Sequence, residues 1–202
     1  MPRPLRKIKR LSLYKSLQLG YLRNQTKQAK RMKKFGYVVD KDLTNNERMV
    51  AYNPFTKKTI FVENGSQTRL RDPAQFVEDW ANNIALVPFG NFEKSQRFKD
   101  AQNAYLKAKE KYKDTKFTLL GHSQSAITVN DLASKGDRGV TYNGALFTKT
   151  KDNPNVSNYR TKNDIVSAFA NPNDMKTLAS SVTQNPIAAH NIENIKQLPV
   201  FV

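Results

Sequence analysis

Apolar residues near the start of the chain, Leu5, Ile8, Leu11, Tyr14, Leu17, Tyr21 and Leu22, recur every three or four positions. That is the spacing of one face of a helix. Lys7, Arg10, Lys15 and Arg23 fall largely off the stripe. Further on, residues 48–52 and 58–62 are rich in β-branched and aromatic side chains and flank Asn53-Pro54-Phe55-Thr56, which predicts two strands joined by a turn. Asp72-Pro73 opens a predicted helix over 74–83, with Phe76, Val77, Trp80, Ala81 and Ile84 on one face. A longer helix is predicted over 92–112, where Phe98, Ala101, Ala104, Tyr105 and Ala108 share a face opposite Lys and Glu. Short strands are predicted over 116–120, 139–147 and 158–161, and a helix over 126–133. Strands alternating with helices argue an α/β domain built on a mostly parallel sheet.

Charge divides the chain. The 202 residues carry a formal net charge of +17. Residues 1–36 hold 12 Lys or Arg and no acid, which leaves 22 basic and 17 acidic residues for the remainder. The pattern reads as a basic N-terminal arm, residues 1–36, ahead of a globular domain, residues 37–202. The plainer reading of the arm is an amphipathic helix packed on the domain with a solvated basic face. The alternative is contact with phosphates through Arg6, Lys7, Lys9, Arg10, Lys30, Arg31, Lys33 and Lys34. The partner would be an anionic membrane surface or nucleic acid bound without regard to sequence.

With 11 Phe and 8 Tyr the chain has bulk enough for a core. Its longest apolar runs are too short for a membrane-spanning helix. The basic N-terminus lacks a following apolar run of secretory length, so a cleaved signal peptide is not expected and an intracellular or virion-associated protein is. The absence of cysteine excludes disulfides, cysteine-based metal sites and thiol catalysis. No metal site is expected. Oligomeric state is not legible. Any chemistry that needs histidine must use His122 or His190.

Leu120-Gly121-His122-Ser123-Gln124-Ser125 joins a predicted strand to a predicted helix. A serine at such a turn stands above the sheet edge, and the amide of the next residue, Gln124, points toward a developing oxyanion. The small residues that let strand and helix approach are Gly121 and Ser125. A Ser-rich loop without catalytic work is the plain alternative. Serine needs a base. His122, its neighbour, should point away across the turn, which leaves His190. Of the acids between motif and base, Asp164, at the end of a predicted strand, is best placed to orient the imidazole; a turn aspartate is the competing reading.

These segments resemble the class 3 lipases, α/β-hydrolases related to fungal triacylglycerol lipases, over about residues 36–195. Asn64-Gly65-Ser66 stands where the family has Arg-Gly-Ser, and Asp79-Trp80-Ala81-Asn82-Asn83 matches its Asp-Trp-x-x-Asn. Gly121-His122-Ser123-Gln124-Ser125-Ala126 corresponds to Gly-His-Ser-Leu-Gly-Gly. Asn163-Asp164-Ile165-Val166 matches its strand acid, and His190 its terminal histidine. The resemblance implies an α/β-hydrolase fold and a Ser123, Asp164, His190 triad. It also implies an oxyanion hole from Ser66 and Gln124, Asp79 and Trp80 as structural support, and no cofactor. The departures are Asn64, the pair Ser125-Ala126, and Ser95-Gln96-Arg97-Phe98 where the family often has His-x-Gly-Phe.

Two functions follow as expectations. One is a serine ester hydrolase acting on lipid or another carboxylic ester, docked by its arm on anionic membrane. The other is a degraded hydrolase fold serving as a structural, nucleic-acid- or membrane-associated protein through the arm. Abundant Lys and Asn suggest an AT-rich genome, and the family's occurrence in large DNA viruses makes a virion-associated protein the setting that would reconcile them.

Overall fold

The hairpin predicted over residues 48–62 forms strands of the sheet next to one of its edges. In the computed structural model, residues 10–65, 92–146, 153–169, 175–178 and 185–192 are described. Seven strands lie side by side in chain order: β1 (Val38–Val39), β2 (Arg48–Asn53), β3 (Lys58–Glu63), β4 (Lys116–His122), β5 (Arg138–Tyr142), β6 (Val156–Thr161) and β7 (Lys176–Leu178). The pairs β1–β2 and β2–β3 are antiparallel, and every pair from β3 to β7 is parallel. The helices are α1 (Leu13–Gly20), α2 (Gln25–Lys33), α3 (Gln96–Lys111), α4 (Ser125–Leu132) and the single turn α5 (Pro186–His190).

Strand alternation sends successive side chains to opposite faces, and each face has its own core. Val50, Phe61, Phe117 and Leu119 pack with Phe98, Ala101, Tyr105 and Ala108 of α3 and Ala126, Ile127 and Val129 of α4. Met49, Ala51, Ile60, Val62, Leu120, Val140 and Tyr142 face the other way, onto Leu13, Leu17, Leu19 and Met32. The result is a three-layer α/β arrangement with a mostly parallel sheet, covered on one side by α3 and α4 and on the other by α1 and α2.

Several predicted elements change at their ends for identifiable reasons. The N-terminal segment forms two helices within the described residues, the apolar stripe lying along α1 and just past its end, and the basic residues from Lys27 to Lys33 on α2. Ser12 caps the first by accepting from Lys15 N–H, and Asn24 opens the second by accepting from Lys27 N–H. The buried Gln28 amide donates to the Leu19 carbonyl at 2.9 Å, locking the two together. The helix predicted over 92–112 divides into a 3-10 turn, Phe92–Lys94, and α3, because the Ser95 hydroxyl caps α3 at Phe98 N–H. The strand predicted over 139–147 stops at Tyr142, where Asn143 adopts φ of 46°. The edge strands β1 and β7, two and three residues long, went unpredicted, being shorter than any alternation pattern. The helix predicted over 74–83 lies outside the described residues.

Leu17 is fully buried beneath the sheet. Leu17→Ala should therefore cost about 2–5 kcal/mol in urea unfolding, whereas Lys30→Ala should stay within about 0.5 kcal/mol of wild type. A near-neutral Leu17→Ala would mean that α1 is not part of the core.

Candidate active site

The crossover from β4 to α4 passes through Ser123, which holds φ of 59°, a left-handed conformation uncommon for residues other than glycine. Neighbouring backbone over-determines that turn. Ser123 N–H donates to the Tyr142 carbonyl, and the Ser123 carbonyl accepts from Ala126 and Ala145, each at 3.1 Å. Strand and helix meet so closely that a Cβ at Gly121 would lie 2.8 Å from the Ser125 carbonyl oxygen. Ser125, where the resemblance leads one to expect glycine, puts its hydroxyl to use. It accepts from His122 N–H at 2.9 Å and lies 2.8 Å from the Glu63 carbonyl and 2.9 Å from that of His122, its proton serving one or the other. Ala126 fits because Gly144 faces it: a Cβ there would lie 2.6 Å from the Ala126 Cβ.

His190 ends α5. Its Nε2 is 2.9 Å from Ser123 Oγ, and its Nδ1 is 2.7 Å from Asp164 Oδ1. All three residues are buried. Asp164 follows β6, and its second oxygen accepts from Ser167 N–H at 2.7 Å. With the carboxylate ionised, Nδ1 donates to it and Nε2 is left to accept from the Ser123 hydroxyl. The turn that carries His190 is stitched to the strand ends by Asn143. Its amide nitrogen donates to the Ala189 carbonyl at 3.0 Å, and its oxygen accepts from Thr161 N–H at 2.8 Å. No sequence pattern singled out Asn143, which the strand predicted over 139–147 placed in its interior.

His122 points away from Ser123, as expected, and its ring stacks on His190 with centroids 4.9 Å apart. Its Nε2 donates to the His190 carbonyl at 2.8 Å, and its Nδ1 lies 2.8 Å from the Tyr21 hydroxyl. That hydroxyl also accepts from Gly65 N–H at 2.7 Å. Arg97 donates to the carbonyls of Asn64 and Gly65. The residue before Gly65 is thus held by an arginine from α3.

Gln124 begins the turn into α4, where backbone N–H groups lack partners within the helix. Ser66, Asp79 and Trp80 lie outside the described residues, as do Arg6, Lys7 and Lys9. Arg10 is exposed, and so are Lys30, Arg31, Lys33 and Lys34 on and just after α2. Among the described residues no group of three acidic, histidine or cysteine side chains could hold a metal ion. None of their helices is long and apolar enough to cross a membrane.

Among the solved structures similar to this chain are two of one complex. One is the native Rhizomucor miehei lipase propeptide complex, with TM-score 0.47 and 14% identity over 88% of this chain and 75% of that one. The other is a deletion mutant of the same complex, with TM-score 0.46 and 14% identity over 90% of this chain and 75% of that one. No protein-family model and no curated protein matches the sequence.

Burial dominates the electrostatics. It pushes His122 down to about 3, and the neighbouring His190 ring acts in the same direction. Burial opposes ionisation of Asp164, but the His190 ring and Ser167 N–H outweigh it and hold the carboxyl below the usual range. Glu63 is driven by burial up to about 7 against the pull of Arg48 and Arg97. The unfolded chain therefore binds a proton at residue 122 that the native state refuses, so stability contributed by neutral His122 is lost as pH falls below 6.5 toward 3. Below 3.8 Asp164 adds a loss of the same sign. Glu63 acts oppositely, gaining stability as pH falls from about 7 to 4.5. The His122 part is isolated by comparison with His122→Gln: wild type should lose urea stability relative to the variant as pH falls from 6.5. Parallel curves would show that His122 titrates normally in the fold.

Proposed function

We propose that this chain is a serine ester hydrolase of the α/β-hydrolase type. The observation that carries the reading is the hydrogen-bonded chain from Ser123 Oγ through His190 to Asp164, at 2.9 and 2.7 Å. These are the roles and distances expected of nucleophile, base and orienting acid. Ser123 Oγ attacks the ester carbonyl as its proton passes to His190 Nε2. Asp164 stabilises the imidazolium through Nδ1–H. Collapse of the tetrahedral intermediate breaks the carbonyl–alkoxy bond, and the leaving alcohol takes the proton from Nε2. Water then attacks the acyl-enzyme, giving its proton to His190, and the acid departs as Ser123 is reprotonated. The Gln124 amide, with Ser66, would donate to the oxyanion. The steps call on no metal or organic cofactor. The substrate class is a carboxylic ester, lipid esters first among them.

A second contact accompanies this reading. Lys30, Arg31, Lys33 and Lys34 are exposed while Gln28 and Met32 turn inward, so α2 offers a cationic face to polyanions. Anionic membrane and nucleic acid both suit it, and the alternative of a structural or virion-associated role would run through this face.

The hydrolase is tested by fluorophosphonate labelling. Wild type should label, Ser123→Ala and His190→Ala should not, and ester turnover should fall by about 10⁴-fold or more in either variant. A folded wild type that takes no label would overturn the enzyme. The cationic face is tested by binding to DNA and to phosphatidylserine vesicles at graded salt. Lys30→Glu with Arg31→Glu should flatten the DNA salt slope by about 1 for each phosphate no longer neutralised. An unchanged slope and unchanged vesicle binding would remove α2 from any such contact.

A further inference from the structure

One phenol outside the Ser123–His190–Asp164 chain joins both sides of the site. Tyr21, at the end of α1, accepts from Gly65 N–H at 2.7 Å and meets His122 Nδ1 at 2.8 Å. His122 Nε2 meets the carbonyl of His190 at 2.8 Å. A carbonyl oxygen can only accept, so Nε2 carries the hydrogen. Nδ1 of the neutral ring must then accept, and the Tyr21 hydroxyl is the donor. Every proton in the set has one destination.

We propose that Tyr21 is a positioning residue for the reaction: its hydroxyl fixes His122 as the Nε2–H tautomer, and His122 in turn holds the backbone of His190 in register with Ser123. The inference rests on the serine-hydrolase reading above and extends it to a segment that charge alone assigned to a basic arm. The alternatives are poor. With the hydrogen on Nδ1, the Nε2 lone pair would face the His190 carbonyl at 2.8 Å. The Tyr21 proton would also be left without its acceptor. A charged His122 would sit buried and stacked on a base that itself becomes cationic during turnover. The same phenol oxygen fixes Gly65, the residue before Ser66, so the two sides of the site are referenced to one atom. Glycine fits there without spare room, since a Cβ at Gly65 would lie 2.9 Å from the Tyr21 oxygen and 2.9 Å from Ser123 Cβ.

The test compares wild type with Tyr21→Phe by two readouts. Because the chain has two histidines, the imidazole ¹⁵N spectrum reports each tautomer directly. Wild type at neutral pH should show His122 as neutral Nε2–H. Tyr21→Phe should shift it toward Nδ1–H while lowering the fluorophosphonate labelling rate and kcat by up to about 100-fold, with KM little changed. Tyr105→Phe, which deletes a phenol oxygen bonded to Asp137 and Ser134, should leave both readouts at wild type and so controls for the general effect of removing a hydrogen bond. A His122 found as Nδ1–H or as imidazolium in wild type overturns the proposal whether or not the variant folds. So does a Tyr21→Phe protein in which either readout stays at the wild-type value. A wild type that shows the Nε2–H tautomer yet takes no label overturns the hydrolase reading, and a positioning role for that reaction falls with it.

Discussion

The contact between β4 and the first turn of α4 is the constraint on which the site depends. Ser123 sits in a left-handed conformation that an isolated chain would leave, and the conformation persists because strand and helix are pressed together on either side of it. Gly121 makes that approach sterically possible, and Ser125 then binds it. Its hydroxyl links the His122 N–H to the carbonyls of Glu63 and His122, so strand, helix and the end of β3 share one buried group. Serine at position 125 thus adds volume but also supplies polar contacts that glycine lacks. The extra methyl of Ala126 is accommodated across the gap by Gly144, which has none. The two departures in this motif are packed, and nothing in their packing pushes Ser123 away from His190.

The second layer follows from the sheet. Five parallel strands present apolar residues to both faces, and a face left uncovered would expose Ile60, Val62, Leu120 and Val140 to water. Residues 11–32 cover it. A segment conspicuous for charge is thereby required for burial, because lysine and arginine occupy one side of α2 while Gln28 and Met32 occupy the other. Net charge describes a surface; periodicity describes what lies beneath. Both were present in the same stretch, and the apolar spacing of Leu11, Leu17 and their neighbours was the better guide to where it sits.

The central strands, α3, α4 and the pairing of the hairpin were legible in the sequence because each has a period or a turn signal of its own. Ser123, His190 and Asp164 were legible through chain order and the scarcity of histidine. Asn143, Arg97 and Tyr21 were not. Each acts through contacts between residues far apart in the chain, 44 positions for Tyr21 with Gly65 and 101 for Tyr21 with His122. No local pattern encodes such a meeting. Tyr21 was visible as a member of the apolar stripe, and nothing in that stripe distinguishes a phenol packed for its ring from one placed for its oxygen. The start of α2 at Asn24 was similarly hidden: asparagine is a common helix cap, but the apolar stripe ends at Leu22 and no apolar period marks the helix beyond it.

A second histidine stacked on His190 is an electrostatic problem that the fold has to solve. The two rings stack 4.9 Å apart, so a charge on one discourages a charge on the other. If His122 protonated as readily as a solvated imidazole, the neighbouring His190 would be hindered in taking the proton that the proposed reaction gives it. Burial removes the problem by keeping His122 neutral, and of the two rings Asp164 touches only that of His190, at Nδ1. The asymmetry of the pair therefore arises from partners. One ring has a carboxylate and a serine hydroxyl, while the other has a phenol and a backbone carbonyl. Burial keeps charge off the second, and His122 packs as a neutral ring between α1 and the turn that carries His190.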